Sequence, residues 1–186
     1  MLPFGHLAAG YLAAEAFLHV LRPLVSAEQR DRLVGIGVAA SFAPDLDMFF
    51  LFWKERAFRH SGRKGNHRAS VLHAPLLWLV FSLSIAAAAP DAFWRYAAAM
   101  VWIGSWSHFL LDSGVSGVRW LFPFSERYFA LKDPGVTRPN DVRGFFRHWL
   151  NLVAQGRRHA PAVFYAEIAL VVLALGFFLA SAMMKP

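Results

Sequence analysis

The 186-residue sequence predicts an all-α protein, a polytopic integral membrane helical bundle of about five transmembrane helices plus one interfacial amphipathic helix. Hydrophobic residues make up 57% of the chain and charged residues 17%, against about 45–50% and about 25% in soluble domains. Five stretches approach the roughly 20 apolar residues that cross about 30 Å of hydrocarbon. The chain has no Cys, which excludes disulfide scaffolds, thiolate metal sites and cysteine nucleophiles.

The five expected spans differ in how many polar residues interrupt them. The first contains His6 and Glu15 and lacks a positively charged start, so it is interpreted as a mature helix and not a signal peptide. Glu15, like Glu167 in the last span, could be a buried partner for an Arg or His. The second contains Asp45 and Asp47, while the other three are cleaner. In chain order the spans are Met1–Leu21, Leu33–Trp53, Val71–Ala89, Ala92–Asp112 and Ala162–Met184.

Basic residues in the loops predict the orientation. Six Lys and Arg residues lie in 54–70 and eight in 113–161, and five spans place these two loops on the same side. Cytoplasmic loops carry the Lys/Arg excess, so the N-terminus is expected inside and the C-terminus outside a bacterial inner membrane.

The whole chain is expected to form one membrane domain with three parts. Residues 1–125 carry the motifs, 126–161 form a cytoplasmic interfacial segment, and 162–184 form the last transmembrane helix. Within the middle part, the apolar residues of Asp141–Gly156 recur near helical spacing among basic ones. This pattern predicts a basic amphipathic helix at the interface, with a lid packed on the bundle as the alternative.

Several ionisable residues fall where a membrane penalises them. An Asp near the bilayer centre costs roughly 2.5–3.5 kcal/mol on insertion scales, so such residues usually face the bundle interior and serve a site. The predicted topology brings seven of them to the cytoplasmic face: His6, Asp45, Asp47, His67, His73, His108 and Asp112. We therefore expect a functional site at that face.

The residue types at this face suit a divalent metal ion. His108 and Asp112 are four residues apart on one helix face and could clasp one ion. Pro44 loosens the helix beside Asp45 and Asp47, which could bridge two ions or divide into ligand and base. A His/Asp set without sulfur favours Zn²⁺, with Mn²⁺ as the alternative. The structural alternatives are a hydrogen-bonded pair between helices at His108 and a capping turn at Asp45.

Four motifs follow one another along residues 1–125: His6 with Ala8-Ala9-Gly10, then Pro44-Asp45-Leu46-Asp47, then His67-Arg68 with His73, then Ser107-His108-Phe109-Leu110-Leu111-Asp112 followed by Gly117 and Leu121-Phe122-Pro123-Phe124. In this order they resemble the YdjM-like family of membrane-bound, metal-dependent hydrolases, known for LexA-regulated members. That family is distantly similar to the zinc-dependent phospholipase C and P1 nuclease group, all-helical enzymes whose clustered metals cleave phosphoesters.

The resemblance implies a set of metal ligands: His6, Asp45, His67 or His73, His108 and Asp112. The phospholipase group completes three metals with a second His/acid helix pair. No such pair follows Asp112 here, so one or two ions are expected.

The expected function is metal-dependent hydrolysis of an ester or phosphoester, with a phospholipid or lipid-linked phosphate as substrate. Asp47 is the expected general base or bridging ligand, and Arg68 and Arg119 are expected to hold an anionic phosphate. A metal or proton transporter and a scaffold with a structural metal are the alternatives. The net charge of +7 is explained by topology, so nucleic acid is not an expected partner, and the oligomeric state stays open.

Overall fold

The computed structural model describes residues 3–21, 24–55, 70–115, 117–131 and 161–183, with a few positions between 147 and 158. These residues form an all-helical bundle, which confirms the predicted fold class. The six helices named here are α1 (Pro3–Val20), α2 (Ala27–Phe42), α3 (Leu46–Glu55), α4 (Pro75–Ala88), α5 (Ala92–Val115) and α6 (Pro161–Met183). Short 3-10 turns precede α3 (Ala43–Asp45) and α4 (Val71–His73).

Local sequence signals set the helix starts. Ser26 and Gln29 form a capping box at the start of α2, each side chain bonding the other's backbone N–H, which satisfies donors that the first turn leaves open. Pro75 occupies the first turn of α4, where its missing N–H costs nothing. Pro44 lies in the 3-10 turn between α2 and α3, and the chain remains helical across it.

Small residues let α1, α2 and α5 pack closely at the centre of the bundle. Gly10 of α1 faces Ser41 of α2, Gly37 of α2 faces Ala14 of α1, and Gly104 of α5 lies against the Gly37 backbone. Interfaces of this kind are typical of membrane helices, because small side chains allow backbones to approach. The contacts make α1 and α2 antiparallel, and α2 and α5 parallel.

The remaining long helices pack on the outside of this centre. On α4, the Ser82 hydroxyl donates to the Ala98 carbonyl of α5 at 2.6 Å, and the short connection between them makes the pair antiparallel. On α6, Glu167 lies against Gly5 of α1, and Phe178 meets Tyr11 with ring centroids 6.1 Å apart. Helices α1 and α6 therefore run in the same direction.

Two of the described helical segments are long and apolar enough to cross a membrane: Ala27–Phe50, which includes α2 and the start of α3, and Pro161–Met183. The apolar α4 is shorter, at 14 residues, and α1 and α5 are interrupted by polar side chains. By this measure the structure supports two spans and not the five expected from hydropathy. The expected helix at 141–156 lies largely outside the described residues.

Glu15 interrupts the apolar sequence of α1, and the structure gives it an ion-pair partner. Its carboxylate lies in α1 and forms an ion pair with the Arg30 guanidinium of α2. Nearby, Leu18, Leu33 and Met100 form part of the apolar core. This ion pair confirms that the buried Glu15 has a basic partner.

Candidate metal centre

Five buried His and Asp side chains meet at one end of the bundle. Helix directions explain the meeting, because α1 and α4 begin at this end, whereas α2 and α5 finish there. None of the five is more than 6% exposed. They are His6 in the first turns of α1, Asp45 in the turn after α2, His73 in the turn before α4, and His108 and Asp112 near the end of α5.

The ligand atoms of these residues form a continuous set. His6 Nε2 is 3.6 Å from Asp112 Oδ1, and His108 Nε2 is 3.7 Å from Asp112 Oδ2. On its other side, His108 Nε2 is 3.7 Å from Asp45 Oδ1, which is 3.4 Å from His73 Nε2. Two triads result, each with ligand atoms within 4.8 Å of one another: His6, His108 and Asp112, and Asp45, His73 and His108.

His108 belongs to both triads, and its ring orientation is fixed by the backbone. Its Nδ1 is 2.9 Å from the Ser41 carbonyl oxygen. A carbonyl only accepts, so Nδ1 carries the hydrogen and donates it, which leaves the Nε2 lone pair directed at the two carboxylates. The His6 ring stacks on the His108 ring, with centroids 3.8 Å apart.

Asp47 stands behind His73 and outside both triads. Its Oδ2 is 3.0 Å from His73 Nδ1, and because a carboxylate accepts, Nδ1 donates and Nε2 faces Asp45. Metal-binding histidines are commonly held by such a carboxylate on the far ring nitrogen. The other oxygen, Asp47 Oδ1, has no hydrogen-bond partner among the described residues.

The arrangement fits a divalent cation better than it fits hydrogen bonding. The separations of 3.4–3.7 Å exceed the 2.7–3.2 Å or so of ordinary hydrogen bonds. They match the roughly 3.3–3.6 Å between ligands that each lie about 2.0–2.2 Å from a tetrahedral ion. His108 Nε2 is fully buried and has no hydrogen-bond partner in the described structure. A cation would satisfy it and offset the charges of Asp45 and Asp112.

The other predicted site residues lie elsewhere or outside the described residues. His67 and Arg68 fall in the segment that the structure does not describe, while His73 is within the cluster. Arg119 is buried and donates from a terminal nitrogen to the Ser70 carbonyl at 3.1 Å. Its guanidinium carbon is 4.3 Å from the centroid of the Phe122 ring.

Sequence reasoning did not find the contribution of Ser41. Its backbone carbonyl holds His108, and its hydroxyl donates to the Val38 carbonyl at 2.7 Å. A backbone contact has no side-chain signature, so no motif marks it. The only signal available was the opposing Gly10, whose lack of a side chain leaves room for Ser41.

The fold and the cluster define a helical membrane-type protein with a buried His/Asp group that could hold a metal ion. A family model described as YdjM inner membrane protein matches residues 1–184. The chain belongs to this family, which confirms the resemblance to the YdjM family and the assignment to an inner membrane family. The similarity to the phospholipase C and P1 nuclease group stays a prediction. No curated protein and no solved structure matches the chain.

Proposed function

We propose that this protein is a membrane-bound, metal-dependent hydrolase that acts on a phosphoester or ester of a membrane lipid. The observation that carries the proposal is the environment of the buried His108 Nε2. This atom lies 3.7 Å from an oxygen of each of two carboxylates and has no hydrogen-bond partner among the described residues. Among the described residues each triad offers three protein ligands to one ion, and the single Nε2 lone pair of His108 completes one triad at a time; structural sites are usually closed by four. A three-ligand set favours catalysis over a scaffold role.

The residues of the chain then have separate tasks. A divalent ion, when bound, lowers the pKa of a water toward 7 and polarises the ester oxygen. Asp47 holds the His73 ring through Oδ2, and its second oxygen, which is buried and has no hydrogen-bond partner among the described residues, is the proposed proton acceptor. Arg119 and Arg68 are the proposed contacts for an anionic phosphate, since a guanidinium matches phosphate oxygens with two parallel hydrogen bonds. Zn²⁺ is the proposed ion, with Mn²⁺ as the alternative.

The proposed topology has five crossings with the N-terminus in the cytoplasm. Helix directions support it: α1 and α6 are parallel, as are α2 and α5, while α1 and α2, and α4 and α5, are antiparallel. Five successive crossings require these relations. The cluster then lies on the cytoplasmic side, where the basic loops 54–70 and 113–161 are expected.

A transporter is less well supported, because it needs ionisable groups along the depth of the bundle. At the end away from the cluster, the carboxylate of Glu15 is engaged by Arg30. That ion pair gives Glu15 a structural role.

The test combines metal content with lipid cleavage. Purified wild-type protein is expected to hold a stoichiometric divalent ion by elemental analysis and to release product from phospholipids or lipid phosphates in mixed micelles. His108→Ala, which removes the atom common to both triads, should lose the ion and the activity together. His19→Ala, an exposed His on α1, is the matched control and should keep both. Metal-loaded protein that cleaves none of these lipids but carries ions into liposomes would overturn the proposal.

A further inference from the structure

A short segment after α5, residues 117–131, buries one charged side chain and exposes several large apolar ones. Arg119 is buried. Four large apolar side chains point outward, with Phe124 88% and Leu131 78% exposed. The four, called here the apolar rim, are Leu121, Phe124, Phe129 and Leu131. Soluble proteins rarely present such apolar groupings to water without a partner.

The segment holds this arrangement through its own backbone. Val118 and Phe129 form an antiparallel bridge with both hydrogen bonds at 2.9 Å. Gly117 begins the segment with a φ of +81°, a conformation that favours glycine. The exposure of the rim is therefore set by a defined fold of the segment and not by a loose chain.

The segment is fastened to the metal-cluster end of the bundle. Leu131 donates its N–H to the Ser113 carbonyl at 2.8 Å, and Trp120 donates its indole N–H to the Ser113 hydroxyl at 2.8 Å. Ser113 directly follows Asp112 of the cluster. On the other side, the Ser70 carbonyl that receives Arg119 precedes Val71, which is 56% exposed, so apolar exposure continues into the turn before α4.

The depth of the cluster places the rim near a bilayer surface. Asp45 lies five residues before the end of the apolar segment Ala27–Phe50, which is about 8 Å at a rise of about 1.5 Å per residue. Glu167 contacts α1 beside His6 and lies six residues after the start of α6, about 9 Å along its axis. The cluster end of both spans is thus close to where the hydrocarbon gives way to headgroups.

We infer that the apolar rim inserts into the bilayer at the cluster end of the bundle. Its Phe and Leu side chains would lie among the parts of the acyl chains next to the headgroups. Exposed Arg127 of the same segment would then lie at the level of the headgroups, where it suits anionic lipid. This contact would place the cluster end of the bundle beside membrane lipid.

The absence of Cys allows a direct test with single spin labels. Phe124→Cys and Leu131→Cys report on the rim, and Glu126→Cys, an exposed polar position between them, is the matched control. Each labelled full-length protein is reconstituted into vesicles of phosphatidylcholine and phosphatidylglycerol. Collision with oxygen, which concentrates in lipid, is compared with collision with a water-soluble nickel chelate.

The labels at 124 and 131 are expected to collide more with oxygen than with nickel, and the label at 126 more with nickel. Nickel-dominated collision at both rim positions would overturn the inference, because the rim would face water. Protection from both reagents would overturn it too, since protein would then cover the rim. The measurement needs no turnover, so its outcome is independent of the proposed hydrolase activity.

Discussion

Substitutions of Asp47 can distinguish two roles of its carboxylate, the support of His73 and the acceptance of a proton. Oδ2 accepts from His73 Nδ1 at 3.0 Å, so Asp47→Ala should free the His73 ring to rotate and weaken the triad that contains it. Loss of such a supporting contact typically lowers metal affinity about 10–100-fold, which corresponds to about 1.4–2.7 kcal/mol. Asp47→Asn keeps an oxygen that can accept the same hydrogen, so its metal affinity should change much less.

Turnover should respond differently from metal affinity. If Asp47 takes a proton from the nucleophile, Asp47→Asn loses basicity, and hydrolysis should fall by about 10²–10⁴-fold in protein that remains metal-loaded. Competition with a fluorescent chelator measures the affinity, and product release from mixed micelles measures the rate. Asp31→Ala, an exposed carboxylate on α2, is the control. Unchanged metal affinity in Asp47→Ala would refute the reasoning, because His73 would then not depend on Asp47.

Three further predictions concern the bundle. Gly104→Ala places a methyl group against the Gly37 backbone and should lower the free energy of unfolding by about 1–3 kcal/mol. Gly114→Ala is the control, because its methyl group meets no atom within 4 Å. Thermal unfolding in detergent compares the two variants. Arg30→Met leaves the Glu15 carboxylate buried without its partner, which is costly. It should therefore destabilise the protein more than the double variant Arg30→Met with Glu15→Gln, which removes both charges. Equal unfolding temperatures of the two variants would contradict this. Reporter fusions within residues 56–69 and at the C-terminus should report opposite sides of the membrane; if both report the same side, the chain has one span fewer than proposed.

The sequence by itself determined the family and the all-helical class, and it singled out the His and Asp residues that the bundle brings together. Long apolar runs predicted the helices, because the length of an apolar run is read directly from the sequence and a helix is the backbone form that satisfies its own hydrogen bonds in an apolar medium. The four-residue spacing of His108 and Asp112 predicted that they share a face, since helix geometry is local. The charge asymmetry of the loops predicted which helix ends lie together, and the structure places His6, Asp45, His73, His108 and Asp112 at one end.

Tertiary structure decided which atoms of those residues face each other. Asp47 lies 26 positions from His73 and Ser41 lies 67 from His108, and such pairings depend on how each helix is rotated about its axis. In helices that are apolar on most sides, periodicity does not specify that rotation. The close approaches at Gly10, Gly37 and Gly104 fix it, and only the packed bundle shows them. For the same reason only the structure shows that Asp47 supports His73 and that Arg119 is buried and bonded to the Ser70 carbonyl.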